Sequence, residues 1–156
     1  MEALSGTSFD KTQKTMYIIE GLVYYLPPMA FKRQLTCISE TAVVGSRLFF
    51  DFLHLSTLSG EVFHPGFETM MVSVWNKGET MYSGVDERPE AINCLLRKFG
   101  FRLSETLDAK QIQKRYLPHL EWKDNKPPVS VFFGYIAAEK IMAPIKRLDT
   151  WDKKMQ

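Results

Sequence analysis

Glycine is scarce where a phosphate- or nucleoside-binding loop would need it. The nine glycines are dispersed, with Gly6 alone near the start and Gly60, Gly66, Gly78 and Gly84 well separated. No stretch therefore has the clustered glycines that let backbone approach a ligand closely. Cysteine is scarcer still. Cys37 and Cys94 lie far apart without metal-like or redox spacing, so no disulfide framework is expected, and both read as reduced, partly buried thiols of an intracellular protein. His54, His64 and His119 do not repeat at the spacing of a zinc site, so no metal is expected. No Gly-x-Ser-x-Gly turn occurs, and Cys94 lies in an apolar-stripe helix, which together disfavour hydrolase chemistry. Neither charge sign dominates: 20 basic against 18 acidic residues leave a formal charge of +2, too little to imply nucleic acid or an anionic membrane as partner. No run approaches the roughly 20 apolar residues of a membrane span, and the start lacks a basic segment followed by an apolar one. A cytoplasmic protein is expected.

What is present is ordinary globular material, 45% apolar and 24% charged over 156 residues. A chain of this length can bury roughly 68–70% of its unfolded surface, enough for one substantial core. Thr15 to Glu20 is a continuous apolar run rich in strand-formers, which predicts a strand buried on both faces, as in a parallel sheet. After Leu22 to Leu26, Pro28 is placed to open a helix. Phe31, Leu35, Ile38 and Ala42 give that helix one apolar face, and Gly45-Ser46 ends it. Arg47 to Leu53 reads as a second buried strand, giving a strand-helix-strand crossover.

Residues 54 to 88 are less regular, although Phe67, Met70, Met71, Val74 and Trp75 form a stripe that suits a helix covering the end of the sheet. Pro89 to Gly100 has Pro at its start, Ile92, Leu95, Leu96 and Phe99 on one face, and Gly at its stop, the strongest helix pattern in the chain. Phe101 to Thr106 alternates weakly as a strand. Asp108 and Gln111 match a capping pair opening a short helix to Tyr116. Val129 to Ala138 predicts a central strand, and the charged segment from Lys146 predicts a solvated tail.

The residues Glu20-Gly-Leu-Val-Tyr-Tyr-Leu-Pro-Pro28, then a helix, then Gly45-Ser-Arg-Leu-Phe-Phe-Asp-Phe52, resemble the second half of the leucine carboxyl methyltransferase-like family of S-adenosylmethionine-dependent methyltransferases. Phe9-Asp-Lys-Thr12, Leu96 to Phe101, Arg115-Tyr-Leu117 and Gly134 to Glu139 continue the likeness in order. The resemblance implies an α/β fold: part of a class I (Rossmann-like) methyltransferase sheet, strands four to seven with flanking helices. The fifth, seventh and sixth strands would lie side by side and the last would be antiparallel. It places Met1 just before the fourth strand, so the first three strands and the Gly-rich cofactor loop would be absent. Residues 1–145 would be the C-terminal part of a methyltransferase domain, and 146–156 a tail.

Glu20 ends an apolar strand, the place where ligands of open α/β sheets bind. Alone it reads as readily as a solvated carboxylate, but the resemblance implies contact with the methionine part of S-adenosylmethionine, with Gly21 and Leu22 as neighbours. Tyr25 and Trp75 are candidates to line an acceptor pocket, against a packing reading for both. Asp51, a charge inside an apolar strand, must be paired, placed at the cleft or exposed by the pleat. Asp51 and His54 are the candidate bases if the acceptor is a hydroxyl; a carboxylate acceptor needs none. The resemblance thus implies an O-methyltransferase acting on a small-molecule hydroxyl or carboxyl acceptor, with cofactor binding weakened by the missing half. A rival reading is a non-catalytic interaction module whose exposed strand edge pairs with another copy, giving a homodimer, or with another protein. An unrelated two-layer α/β domain with chance similarity at Glu20 to Pro28 is a third.

Overall fold

The apolar runs of the sequence become strands and the proline-led amphipathic segments become helices. The computed structural model describes residues 6–64, 66–120 and 129–142; the tail expected from residue 146 lies outside them. Strands β1 (Met16–Ile19), β2 (Arg47–Leu53), β3 (Phe101–Leu107) and β4 (Phe133–Lys140) form one sheet in the order β1-β2-β4-β3. β1 and β2 are parallel, and β4 runs antiparallel to both β2 and β3. The last strand is therefore antiparallel and interior, the order that the family resemblance implied for the fourth, fifth, seventh and sixth strands.

Helix α1 (Pro28–Thr41) carries the first crossover, α2 (Leu55–Leu58) is a single turn, and α3 (Phe67–Asn76), α4 (Pro89–Arg97) and α5 (Ala109–Tyr116) follow. α1 and α4 set Leu35, Ile38, Ile92 and Leu96 against Leu48, Phe50, Phe52 and Ile136, the main core on one face of the sheet. Burying such side chains contributes about 1.5–3 kcal/mol each. Asp108 and Gln111 form the reciprocal capping box that their spacing predicts, opening α5.

Some elements depart from the sequence expectation. α1 ends at Thr41, before Gly45-Ser46, because Ala42 already adopts extended backbone. β4 begins four residues later than Val129 and runs on to Lys140. The strand can end in a lysine because the ammonium is satisfied: Nζ lies 2.7 Å from Ser39 Oγ, 2.9 Å from the Phe99 carbonyl and 5.0 Å from the centre of the Phe101 ring. A bulge between Leu103 and Glu105 accounts for the weak alternation of β3. Both cysteines, Cys37 in α1 and Cys94 in α4, are exposed rather than partly buried.

The largest correction concerns β1. Tyr17 and Ile19 face α1, but Met16 is 56% and Ile18 65% exposed. The strand is apolar on both faces as predicted, yet it lies at the edge of the sheet, and one face carries no cover among the described residues.

Candidate functional site

Parallel pairing brings the carboxyl ends of β1 and β2 to the same end of the sheet. There the chain leaves β1 through Glu20, which is exposed, and Gly21, whose φ of +66° is left-handed backbone that favours glycine. The turn is pinned from the neighbouring strand: the Gly21 N–H donates to Asp51 Oδ1 at 2.8 Å. The Tyr24 hydroxyl lies close to the same carboxylate. Tyr24 sits on the short 3-10 turn Val23–Tyr25, with its ring centre 4.9 Å from that of Tyr25 and 5.1 Å from that of Phe133. Tyr135 lies directly opposite Asp51 in the β2–β4 register.

Glu20, Gly21, Tyr24, Asp51 and Tyr135 thus make one electronegative cluster. Asp51 is half-buried. Burial pushes its carboxyl above the usual range and the Glu20 charge adds to this, while the Gly21 N–H, its own backbone N–H and the Tyr24 hydroxyl pull it back. Burial first, then the Asp51 charge, drives Tyr24 well above the ordinary phenol range, and the same two causes raise Tyr135, with Glu20 adding. Both phenols are therefore neutral hydroxyls near neutral pH.

His54 belongs to a different group. By strand alternation it points to the face opposite Asp51, so the two candidate bases are not brought together. Its backbone N–H donates to Phe132 at 2.9 Å and its residue bridges Val85. Burial lowers the imidazole below its ordinary value, partly offset by the charge of Glu87. Burial also pushes the Glu87 carboxyl up, but the hydroxyl of Ser56 and nearby backbone N–H groups outweigh it and hold the group below the usual range.

Leu22 is 38% exposed beside the Gly21 turn. Tyr25 turns its hydroxyl toward Glu79 and packs its ring into a second apolar cluster with Met70, Met71 and Val74 of α3. That helix covers the carboxyl end of the sheet, as its stripe predicts. Trp75, however, is 70% exposed on its outer side, whereas Phe67, Met70, Met71 and Val74 are the α3 residues that pack inward. Tyr24 and Tyr135 were the members of the cluster that sequence reasoning missed. Tyr24 had a signal, since it lies one short turn beyond Gly21, but Tyr135 meets Asp51 only through the strand register.

Among the described residues no group of three or more His, Cys, Asp or Glu side chains has metal-binding placement. No helix among them is long and apolar enough to cross a membrane.

No family model matches the chain. Over 59 residues, 38% of its length, it is 44% identical to a Mycolicibacterium vanbaalenii protein named "Putative S-adenosyl-L-methionine-dependent methyltransferase". Over 101 residues, 65% of its length, it is 33% identical to a protein of the same name from Mycobacterium sp. strain KMS. These stretches span 19% and 26% of the two relatives. The chain is thus similar to a part of S-adenosylmethionine-dependent methyltransferases. Among solved structures, the pyocyanin biosynthetic protein PhzM superposes on 85% of the chain and 33% of its own, with a TM-score of 0.46 and 15% identity.

Proposed function

We propose that this chain forms the methionine-binding and acceptor-side portion of an S-adenosylmethionine-dependent O-methyltransferase, with a small-molecule hydroxyl or carboxyl group as acceptor. The observation that carries the reading is the Glu20-Gly21 turn at the carboxyl end of a parallel strand, pinned by Asp51 from the next strand. The likeness in sequence to methyltransferases supports it.

The residues present suit the methionine part of the cofactor. Its amino group and sulfonium are cationic, and two carboxylates flanked by two phenol oxygens create a local negative potential. Glu20, the exposed carboxylate, would hold the ammonium. Gly21 and Leu22 would form the floor beside it, and Asp51 would act as a positioning residue. The adenosine and ribose have no comparable partner here, since no clustered glycines occur in the chain.

When bound, the cofactor supplies an electrophilic methyl group on a sulfonium. Direct displacement from it demands mainly that the acceptor oxygen be aligned in a water-poor cleft. α3, through Phe67, Met70, Met71 and Val74, and Tyr25 would cap that cleft from the acceptor side. If the acceptor is a hydroxyl, Asp51 is the candidate base nearer the turn but its carboxylate accepts from Gly21, whereas His54, which burial keeps neutral, would serve only an acceptor that reaches the opposite face of the sheet. A carboxylate acceptor would bypass it.

Calorimetric titration with S-adenosylmethionine tests the proposal. Weak, saturable binding that Glu20→Gln removes supports it. No binding at millimolar cofactor contradicts it.

A further inference from the structure

Residues 81–88 carry a single bridge and no helix or strand, yet they are tied down along most of their length at the carboxyl end of the sheet. At one end the Tyr24 carbonyl accepts from the N–H groups of Tyr82, at 2.7 Å, and Ser83, at 3.2 Å. The Ser83 hydroxyl donates to the Leu26 carbonyl at 2.5 Å. In the middle Val85 bridges His54 in parallel: its N–H donates to the Leu53 carbonyl and its carbonyl accepts from Leu55, both at 2.9 Å. At the other end the Glu87 carboxylate accepts from the Ser56 hydroxyl. Met81, Ser83 and Val85 are buried. Gly84 makes the approach possible, because a Cβ there would lie 2.6 Å from the Leu55 Cα, a backbone atom with no freedom to give way.

This strap and Asp51 hold the turn after β1 between them. Asp51 takes the Gly21 N–H from the neighbouring strand, and the strap binds the carbonyls of Tyr24 and Leu26 at the turn's other end. The 3-10 segment Val23–Tyr25 is only three residues long, too short to hold itself in place. The direction in which the exposed Glu20 and Leu22 are presented is therefore set by bonds from outside the turn. Whatever order those bonds do not supply beforehand, a ligand must supply on binding, at a cost in affinity.

We propose that Ser83 is a positioning residue for the Glu20-Gly21 turn, acting through the Leu26 carbonyl to set the turn for the methionine part of the cofactor before the cofactor arrives. This rests on the reading of that turn as the methionine-binding site. It holds for a hydroxyl and a carboxyl acceptor alike. Because the same strap bridges His54 two residues further on, it also joins the turn to the end of β2 that carries one candidate base.

Titration of the full chain with S-adenosylmethionine, by calorimetry and by NMR of the Gly21 amide, tests the assignment in the wild type, Ser83→Ala and Thr36→Ala. Thr36→Ala removes a bond of the same kind, from the Thr36 hydroxyl to the Lys32 carbonyl within α1. Ser83→Ala is expected to weaken binding about three- to tenfold and to move the Gly21 amide resonance before any cofactor is added. Thr36→Ala is expected to do neither. Should the alanine variant fail to fold, Ser83→Cys, close in size and a weak donor, carries the same expectation. A Ser83 variant that binds as tightly as the wild type overturns the proposal, and so does an equal loss in Thr36→Ala, the mark of general destabilisation. The Gly21 resonance needs no cofactor, so it separates the two readings: a wild-type chain that binds nothing contradicts the cofactor site, whereas a Gly21 amide unmoved by the Ser83 substitution contradicts the positioning role.

Discussion

Gly21 donates its backbone N–H to Oδ1 of Asp51 across 2.8 Å, tying the turn after one strand to a carboxylate on the next. Asp51→Ala would leave that N–H without its acceptor, at an expected cost of about 1–3 kcal/mol. Asp51→Asn keeps an acceptor oxygen and should cost less. Gly21→Ala, at φ +66°, should cost on the order of 1–3 kcal/mol from backbone strain. Urea denaturation of the three variants measures these differences.

His54 should titrate below the usual histidine value, because burial disfavours the imidazolium. The Glu87 charge works against burial, so Glu87→Gln should lower the value further. An NMR pH titration of the His54 ring reads both effects. A His54 value unchanged by Glu87→Gln would mean that the two groups are not coupled.

Lys140 gives the fold a pH dependence of definite sign. The residue is 2% exposed, among the described residues no carboxylate hydrogen-bonds its ammonium, and burial lowers its pKa from 10.5 to about 8. Between those values the unfolded chain binds the proton more tightly than the folded one, so this group makes stability rise as pH increases through the window. Below about pH 8 its unfavourable contribution is constant. Lys140→Met, which leaves the Ser39–Phe99 hydrogen bond in place, should remove that rise. Melting temperatures of both proteins across the window test it.

Much of this was readable in the residues where a local pattern and the tertiary context agree. Arg47 to Leu53 is a strand at the bounds its apolar run gives, because it lies inside the sheet with one face fully packed. Asp108 and Gln111 cap a helix because both bonds are local. β1 misled because an apolar run marks a strand but not whether a neighbour covers it. Lys140 was not anticipated, since its partners come from α1 and from the turn before β3, 101 and 41 residues away in sequence. In the site, Glu20 and Gly21 were visible as a strand end, and Asp51 as a charge needing a partner. That each answers the other depended on the β1–β2 register.

The central claim is that the Glu20-Gly21 turn receives the cationic methionine part of S-adenosylmethionine. The most direct test is titration of the isotope-labelled chain with the cofactor, following the Gly21 amide by NMR. The account predicts a saturable shift of that resonance, weak in affinity, which Glu20→Gln abolishes while the fold is kept. A Gly21 amide that stays in place at millimolar cofactor, or that shifts equally in Glu20→Gln, would contradict it.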